Sequence, residues 1–445
     1  MDKFEKTPRW LRWVLGLNQP EVILSTAEAD EHREQNFRWN VAFNSLDVFC
    51  FYTGINLISA TTILPLFVSK LSDSPIPLAI LAMIAQGGFF LPQLFTSNFI
   101  ERLDHKKPMV VNIGFFTERV PMILFPFIPL LALATPILAL IIFLIVYAWF
   151  MFGGGVIAPA WQDMIARCFT ATTRGRFFGI TLFIGALIGV GVSAWASYVL
   201  ENRSFPNNFV LLFAVSGIAF TLSWLFLMQV REPIEAGRAL EVSAKDYLIQ
   251  LPSLVKADAN FRNFLIARFV IALAEMGTGF LTVAAIQTFD VSDGTVAQFT
   301  IVTLVGQTAA SLIMGFFSDK YGHHLSFQIA TIALVLAFGA AWLATGTFWY
   351  FVVFFCLGFF TGARSVSAML VVLEFSGPEK RPTYVGIANT ITGIASILAP
   401  VIGGGLAVLG YSWLFVASTA VSVLGFLLLR YWVKEPRFVS VETQP

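Results

Sequence analysis

Six ionisable residues lie where ionisable residues are costly: Asp47, Glu118 and Glu275, with Arg119, Arg268 and Arg364, each fall inside a long apolar run. Charges at such depth are paired or functional, and a carboxylate there can take up and release a proton. Glu275 is near the middle of its run, so it is the first candidate for a protonatable group, and Asp47 is the second. Arg268 and Glu275 are seven residues apart and share one helical face, but two turns span about 10 Å. Arg268 therefore either snorkels from the edge of its run or joins a structural ion pair. Arg364 reads as an anion ligand or as the counter-ion of Glu275 or Asp47. Glu118 and Arg119 point about 100° apart on a helix and read as a structural link.

Asp47 belongs to a polar stripe. Asn40, Asn44, Asp47 and Gly54 fall on one helical face, and Ser45, Tyr52, Asn56 and Ser59 form the neighbouring stripe. Gln86, Gln93, Gln307 and Asn389 are the remaining polar candidates inside apolar runs. Other chemistry is not supported. Cys50, Cys168 and Cys356 form no CxxC pair, and His32, His105, His323 and His324 lack zinc-site spacing. Neither HExxH nor GxxxxGK[ST] occurs, so no metal, no cofactor and no ATP-driven step is expected. A net charge of +1 gives no footprint for nucleic acid.

The elements that must carry these residues are membrane helices. The chain is 57% hydrophobic and 12% charged, where a soluble domain carries about a quarter charged residues. Runs of about 20 apolar residues can span a bilayer. Twelve are read at 41–67, 77–99, 108–131, 136–160, 177–200, 208–229, 263–288, 295–316, 325–345, 348–373, 384–408 and 412–433, with Pro65 closing the first. The longest polar insert, 230–262, divides them six plus six.

The expected fold is an all-α membrane protein of 12 transmembrane helices in two pseudo-symmetric six-helix bundles. Its parts are an N-terminal segment 1–35, a bundle 36–229, a linker 230–262, a second bundle 263–434 and a tail 435–445. Trp10, Leu11, Trp13, Val14 and Leu17, beside Arg9 and Arg12, read as a short interfacial helix or a tail without structure. With both termini in the cytoplasm, 23 of the 28 Lys and Arg lie on that side and only Lys70 and Arg203 outside, as the positive-inside rule requires.

The halves echo each other. Asn36-Phe37-Arg38 and Asn260-Phe261-Arg262 enter the first and seventh spans, and Thr53-Gly54 and Thr278-Gly279 follow. Arg174 to Gly179 after the fourth span is matched by Arg381 to Gly386 after the tenth. Such a duplication places a site between two bundles near mid-bilayer.

The segment Gly315-Phe-Phe-Ser-Asp319-Lys320-Tyr-Gly322-His323-His324 resembles the loop signature of the major facilitator superfamily. Ser97 to Lys106 is a degraded copy that keeps Glu101 and Arg102 and loses both glycines. Gly393 and Ala399-Pro400-Val-Ile-Gly403-Gly404-Gly405 resemble its glycine-rich packing helices. The fourth span lacks the Arg found in many proton-coupled members and carries Trp149, Gly153, Gly154 and Gly155 instead.

The resemblance implies several things. The stripes of the first span should border a central cavity, with Asn44, Tyr52, Asn56, Gln86, Gln307, Arg364 and Asn389 as candidate cavity residues. Gly315 should let two helices approach closely. Asp319 should dock on the start of the fifth span, helped by Arg174 or Arg176, while Gly322 turns the chain sharply and Lys320 stays on the cytoplasmic side. Glu101 and Arg102 should meet the start of the eleventh near Thr383.

The expected function is a secondary transporter that moves a small organic solute by alternating access, coupled to protons. Its partners would be the solute, the proton and the bilayer of a plasma (inner) membrane, with the chain acting as a monomer. The solute could be an amphipathic drug-like compound, a sugar or an organic anion. A non-transporting receptor or scaffold on the same fold is the alternative, and a membrane enzyme has the least support.

Overall fold

A computed structural model of the chain describes residues 8–17, 22–236, 255–256, 258–375 and 381–435. Most of these are helical, with no strand among the described residues. The helices are α1 (Arg9–Val14), α2 (Thr26–Leu57), α3 (Ile63–Ser69), α4 (Ile76–Glu101), α5 (Met109–Leu131), α6 (Pro136–Cys168), α7 (Ala171–Asn202) and α8 (Asn207–Leu227). They continue as α9 (Ala259–Phe289), α10 (Asp293–Tyr321), α11 (His323–Trp342), α12 (Thr347–Glu374), α13 (Arg381–Leu409) and α14 (Tyr411–Tyr431). Eleven of the described helices are long and apolar enough to cross a membrane. The chain is a multi-pass integral membrane protein. Large apolar side chains such as Phe95, Phe316 and Phe348 stay exposed on helix surfaces, as lipid-facing residues do.

The first apolar run is not one helix. α2 stops at Leu57 and the chain restarts at Ile63, so Pro65 lies inside the short α3. At its other end α2 is closed by a capping box, in which Ser25 and Glu28 satisfy each other's backbone N–H groups.

One compact unit comprises residues 1–58, 88–192 and 204–244. In it α2 lies along α8, joined by polar residues: Ser223 donates to Asp47 at 2.6 Å and Ser216 donates to the Gly54 carbonyl at 2.9 Å. Asn40 reads both backbone groups of Arg231, donating to its carbonyl and accepting from its N–H, each at 2.9 Å. The glycines of α6 bring helices together. A Cβ on Gly153 would fall 2.3 Å from the Thr117 carbonyl oxygen, and one on Gly155 would fall 2.4 Å from that of Phe89.

Below this bundle a buried charge cluster fixes the turn after α4. Lys106 is fully buried. Its ammonium donates to the carbonyls of Ile100, Leu103 and Glu101 and lies 3.3 Å from Asp163. Here a lysine closes the turn that glycines would otherwise shape. Glu232 accepts from the backbone N–H groups of Lys106 and Lys107 and faces Arg167 at 3.8 Å and His105 at 3.6 Å. Burial pushes the Glu232 carboxyl above its ordinary value and the Lys106 ammonium below its own. The short helix α1 packs Leu11 and Leu15 into the same region and leaves Trp10 and Trp13 exposed.

The other unit comprises residues 59–87, 193–203 and 245–445. Segments 59–87 and 193–203, from before the 230–262 insert, pack here with the chain after it. Thr282 donates to the Thr61 carbonyl at 2.7 Å, and Lys70 pairs with Asp293 at 2.7 Å. Glu201 accepts from Ser292 and from the Gly294 N–H, at 3.0 and 3.2 Å. Asn260 reads both backbone groups of Lys434, at 2.8 and 3.0 Å. This repeats the Asn40–Arg231 clamp: in each unit an amide on one helix, α2 or α9, holds both backbone groups of a residue just past the end of another, α8 or α14. The linker 237–254 and the tail 436–445 lie outside the described residues.

Candidate functional site

Each unit holds its own candidate site. In the first, a cavity of about 410 Å³ opens among α2, α4, α5, α6 and α7. Phe51, Tyr52, Phe89 and Trp161 give it aromatic walls, and Asp47, Glu118 and Arg119 line it as well. Its volume falls in the range of small-molecule sites.

The walls are set by close helix packing. A Cβ on Gly185 would lie 2.7 Å from the Tyr52 ring, so only glycine lets α7 seat against that ring. Phe51 meets Phe220 edge to face at 5.4 Å, and Phe220 in turn lies against Gly54. Gly154 leaves room for the Glu118 carboxylate, which would be 3.0 Å from an added Cβ.

Glu118 and Arg119 form an ion pair although they are adjacent in sequence. On a regular helix they would diverge. Phe115–Arg119 is a π-helical turn, whose wider coil brings consecutive side chains closer in direction, and such turns often mark functional sites. The pair is therefore a cavity wall as well as a structural link. Asp47 accepts hydrogen bonds from Ser223 and from the Trp161 indole. Among the described residues no cation pairs with it.

The polar stripe splits. Asn40 and Asn44 are fully buried along α8, where Asn44 donates to the Asn40 carbonyl at 2.7 Å, and Gly54 packs on Phe220. This is a seam, and the expectation that Asn44 faces a cavity is corrected. Asn56 likewise donates to the Tyr52 carbonyl at 2.7 Å. Asp47 and Tyr52 do reach the cavity.

In the second unit α9 changes character at Glu275. The α-helix ends at Ala274, and Glu275–Phe280 winds as a 3-10 turn before the helix resumes at Leu281. α13 presses on that turn: a Cβ on Gly403 would fall 2.2 Å from the Met276 carbonyl oxygen. Beside it lies a cavity of about 60 Å³ whose polar lining includes Glu275, Gln86, Thr61, Thr278 and Ser396. The Thr278 hydroxyl is buried there without a partner. Pro400, also in the lining, brings no N–H to the Ser396 carbonyl.

Arg364, from α12, pairs with Glu275 and stacks on Phe360 at 4.9 Å. Arg268 has no acid partner among the described residues, which corrects the ion-pair expectation. Its guanidinium donates to Thr392 at 2.7 Å, to the Ala368 carbonyl at 2.9 Å and to Asn389 at 3.3 Å. Asn389 thus positions an arginine. Gln307 is half-buried on α10, and its carbonyl oxygen would be 2.2 Å from a Cβ on Gly362.

The gating residues divide. The side chains of Asp319, Arg174 and Arg176 lie outside the described residues, as does that of Thr383. Glu101, Arg102 and Lys320 are exposed, and Lys320 lies over the Tyr321 ring at 5.1 Å. Gly322 has φ +101°, the turn conformation expected of it. Gly315 has no described atom within 4 Å of where a Cβ would sit. Trp161 and Phe89 were missed by sequence reasoning. A signal existed: Gly154, Ala158 and Trp161 recur at steps of four and three on one face of α6.

Residues 264–445 match the family model of the Major Facilitator Superfamily. No curated protein matches the chain in sequence. Solved structures with the same fold include a variant of the nucleoside transporter NupG, with TM-score 0.65 and 14% identity over 90% of this chain and 100% of that one. A D-xylose-proton symporter aligns with TM-score 0.65 and 16% identity over 89% and 98% of the two chains. A bacterial homologue of the iron transporter ferroportin, in an inward-facing state, aligns with TM-score 0.66 and 13% identity over 88% and 98%.

Proposed function

We propose that this chain, whose fold and second half are those of the Major Facilitator Superfamily, is a secondary active transporter that moves a small organic solute by alternating access and couples that movement to protons at Glu275. The observation that carries the reading is the Glu275–Arg364 ion pair. It is made at the residue where α9 leaves α-helical geometry, beside a small cavity with several polar groups in its lining, able to hold water. Discontinuous membrane helices place ion sites at such breaks.

Protonation of Glu275 removes the charge that holds Arg364, and the guanidinium is then free to move on Phe360. A scaffold has no use for a titratable pair in this position. One structural relative is a proton symporter, which agrees with the reading. Both termini are placed in the cytoplasm by the distribution of Lys and Arg. Asp319 is assigned to the gate on the strength of its place in the loop signature. The aromatic walls of the cavity in the first unit, Phe51, Phe89 and Trp161, suit a solute with an amphipathic organic body.

The test is Glu275→Gln in proteoliposomes. The variant should still exchange solute across the membrane and fail to accumulate it on a pH gradient. Normal accumulation by the variant removes Glu275 from the coupling role.

A further inference from the structure

Counted with its acids and bases ionised, the cavity of the first unit carries one more negative charge than positive. Asp47 and Glu118 contribute two, Arg119 contributes one, and these are the ionisable acids and bases that line it apart from the Tyr52 phenol. Glu118 and Arg119 neutralise each other directly. The excess therefore resides on Asp47, which is buried, accepts from a hydroxyl and an indole N–H, and is only partly offset by the charge of Arg119 nearby, already paired with Glu118. A lone buried carboxylate is unfavourable unless a cation joins it or a proton neutralises it.

The rest of the lining selects between these. Phe51, Tyr52, Phe89 and Trp161 surround the same space, and aromatic faces attract cations most strongly where water is excluded. Ring faces and one carboxylate together make poor surroundings for an anion. They suit a compact organic cation whose charge is spread over carbon, such as a quaternary ammonium bearing an aromatic body.

We infer that this cavity is a binding site for a monovalent aromatic or amphipathic organic cation, whose charge is met by Asp47 and whose body packs against Tyr52, Phe89 and Trp161. The cargo class follows from this, resting on the reading of the chain as a transporter. Nothing in the inference uses Glu275 or the second unit. Gly185 has a part in it, because it sets the Tyr52 ring in place.

The probe is (4-hydroxyphenyl)trimethylammonium, compared with its uncharged isostere 4-tert-butylphenol and with 4-hydroxybenzenesulfonate. Binding to the purified full chain is read by calorimetry, with thermal melting as a second readout. The wild type should bind the cation at least about tenfold more tightly than the isostere, as a desolvated cation–aromatic contact implies. It should bind the sulfonate weakest of the three. Asp47→Asn should bind cation and isostere equally, its retained affinity for the isostere showing that the cavity is intact.

Equal binding of cation and isostere by the wild type would mean that Asp47 is held neutral, and would overturn the inference. So would tighter binding of the sulfonate, a cation preference that survives Asp47→Asn, or no binding of any probe. The assay needs no transport. A protein that binds the cation and accumulates no solute would lose the transport reading and keep this one.

Discussion

Glu275 and Arg364 meet at the residue where α9 tightens from an α-helix into a 3-10 turn. The break and the ion pair occupy one place, so a change in the charge of Glu275 acts on the least regular point of the helix.

This coupling predicts a pattern of stability in variants. Glu275→Gln leaves Arg364 half-buried without its acid, and Arg364→Gln strands the carboxylate. Each should lower stability by about 1–3 kcal/mol, the scale of losing a hydrogen bond to a charged group. The pair is only partly buried, so the loss should stay below that of a fully buried one. The double variant should recover most of it. Thermal unfolding of the four proteins checks this, and additive losses in the double variant would show that the two residues act separately.

Gly185 and Tyr52 give a second expectation. Gly185→Ala would put a Cβ 2.7 Å from the Tyr52 ring. The ring must shift or α7 must move away, at about 1–3 kcal/mol for overpacking. Gly191, which has no atom within 4 Å of a Cβ position, should accept alanine with little effect. Equal melting temperatures for the two variants would mean that the Tyr52 contact is soft.

Lys106 should be intolerant of change. Lys106→Met keeps the volume and removes the donor to the carbonyls of Ile100, Glu101 and Leu103. Each buried carbonyl left without a donor costs about 1–3 kcal/mol. Proteolytic nicking of the 102–108 loop should rise with that loss, and a wild-type nicking pattern would contradict the role given to this lysine.

The depth of Asp47 and Glu275 was legible because apolar runs and ionisable residues are both visible in sequence, and depth alone makes a charge notable. The facing of the Asn40–Asn44 stripe was not legible. Helical periodicity shows that residues share a face, and it cannot say whether that face meets a cavity or α8. The break after Leu57 was hidden for a related reason: residues 58–62 are apolar or small, with Pro65 only later. That Glu118 and Arg119 pair with each other was not legible, because adjacent residues diverge on a regular helix and here the chain winds as a π turn. Among 46 Phe, nothing in composition distinguishes Phe89 from those that face lipid.

His32 predicts the acid limb of stability. Burial holds its imidazole below the ordinary value of 6.5, and Arg231 and Arg33 push the same way. A group whose pKa is depressed on folding contributes stability above its unfolded pKa and loses it as pH falls. The wild type should therefore lose stability relative to His32→Gln as pH drops through about 6.5. Parallel stability curves from pH 8 to pH 5 would remove His32 from the account.

The central claim is proton-coupled transport through Glu275, and accumulation tests it most directly. Wild type and Glu275→Gln are reconstituted in vesicles with an imposed pH gradient. A defined mixture of pentoses, nucleosides, organic acids and quaternary amines is supplied, and the vesicle contents are read by mass spectrometry. The wild type should concentrate at least one solute above its external level and lose that ability when a protonophore collapses the gradient. Glu275→Gln should bring the same solute only to equilibrium. Concentration of the solute by Glu275→Gln to the wild-type level would contradict the account.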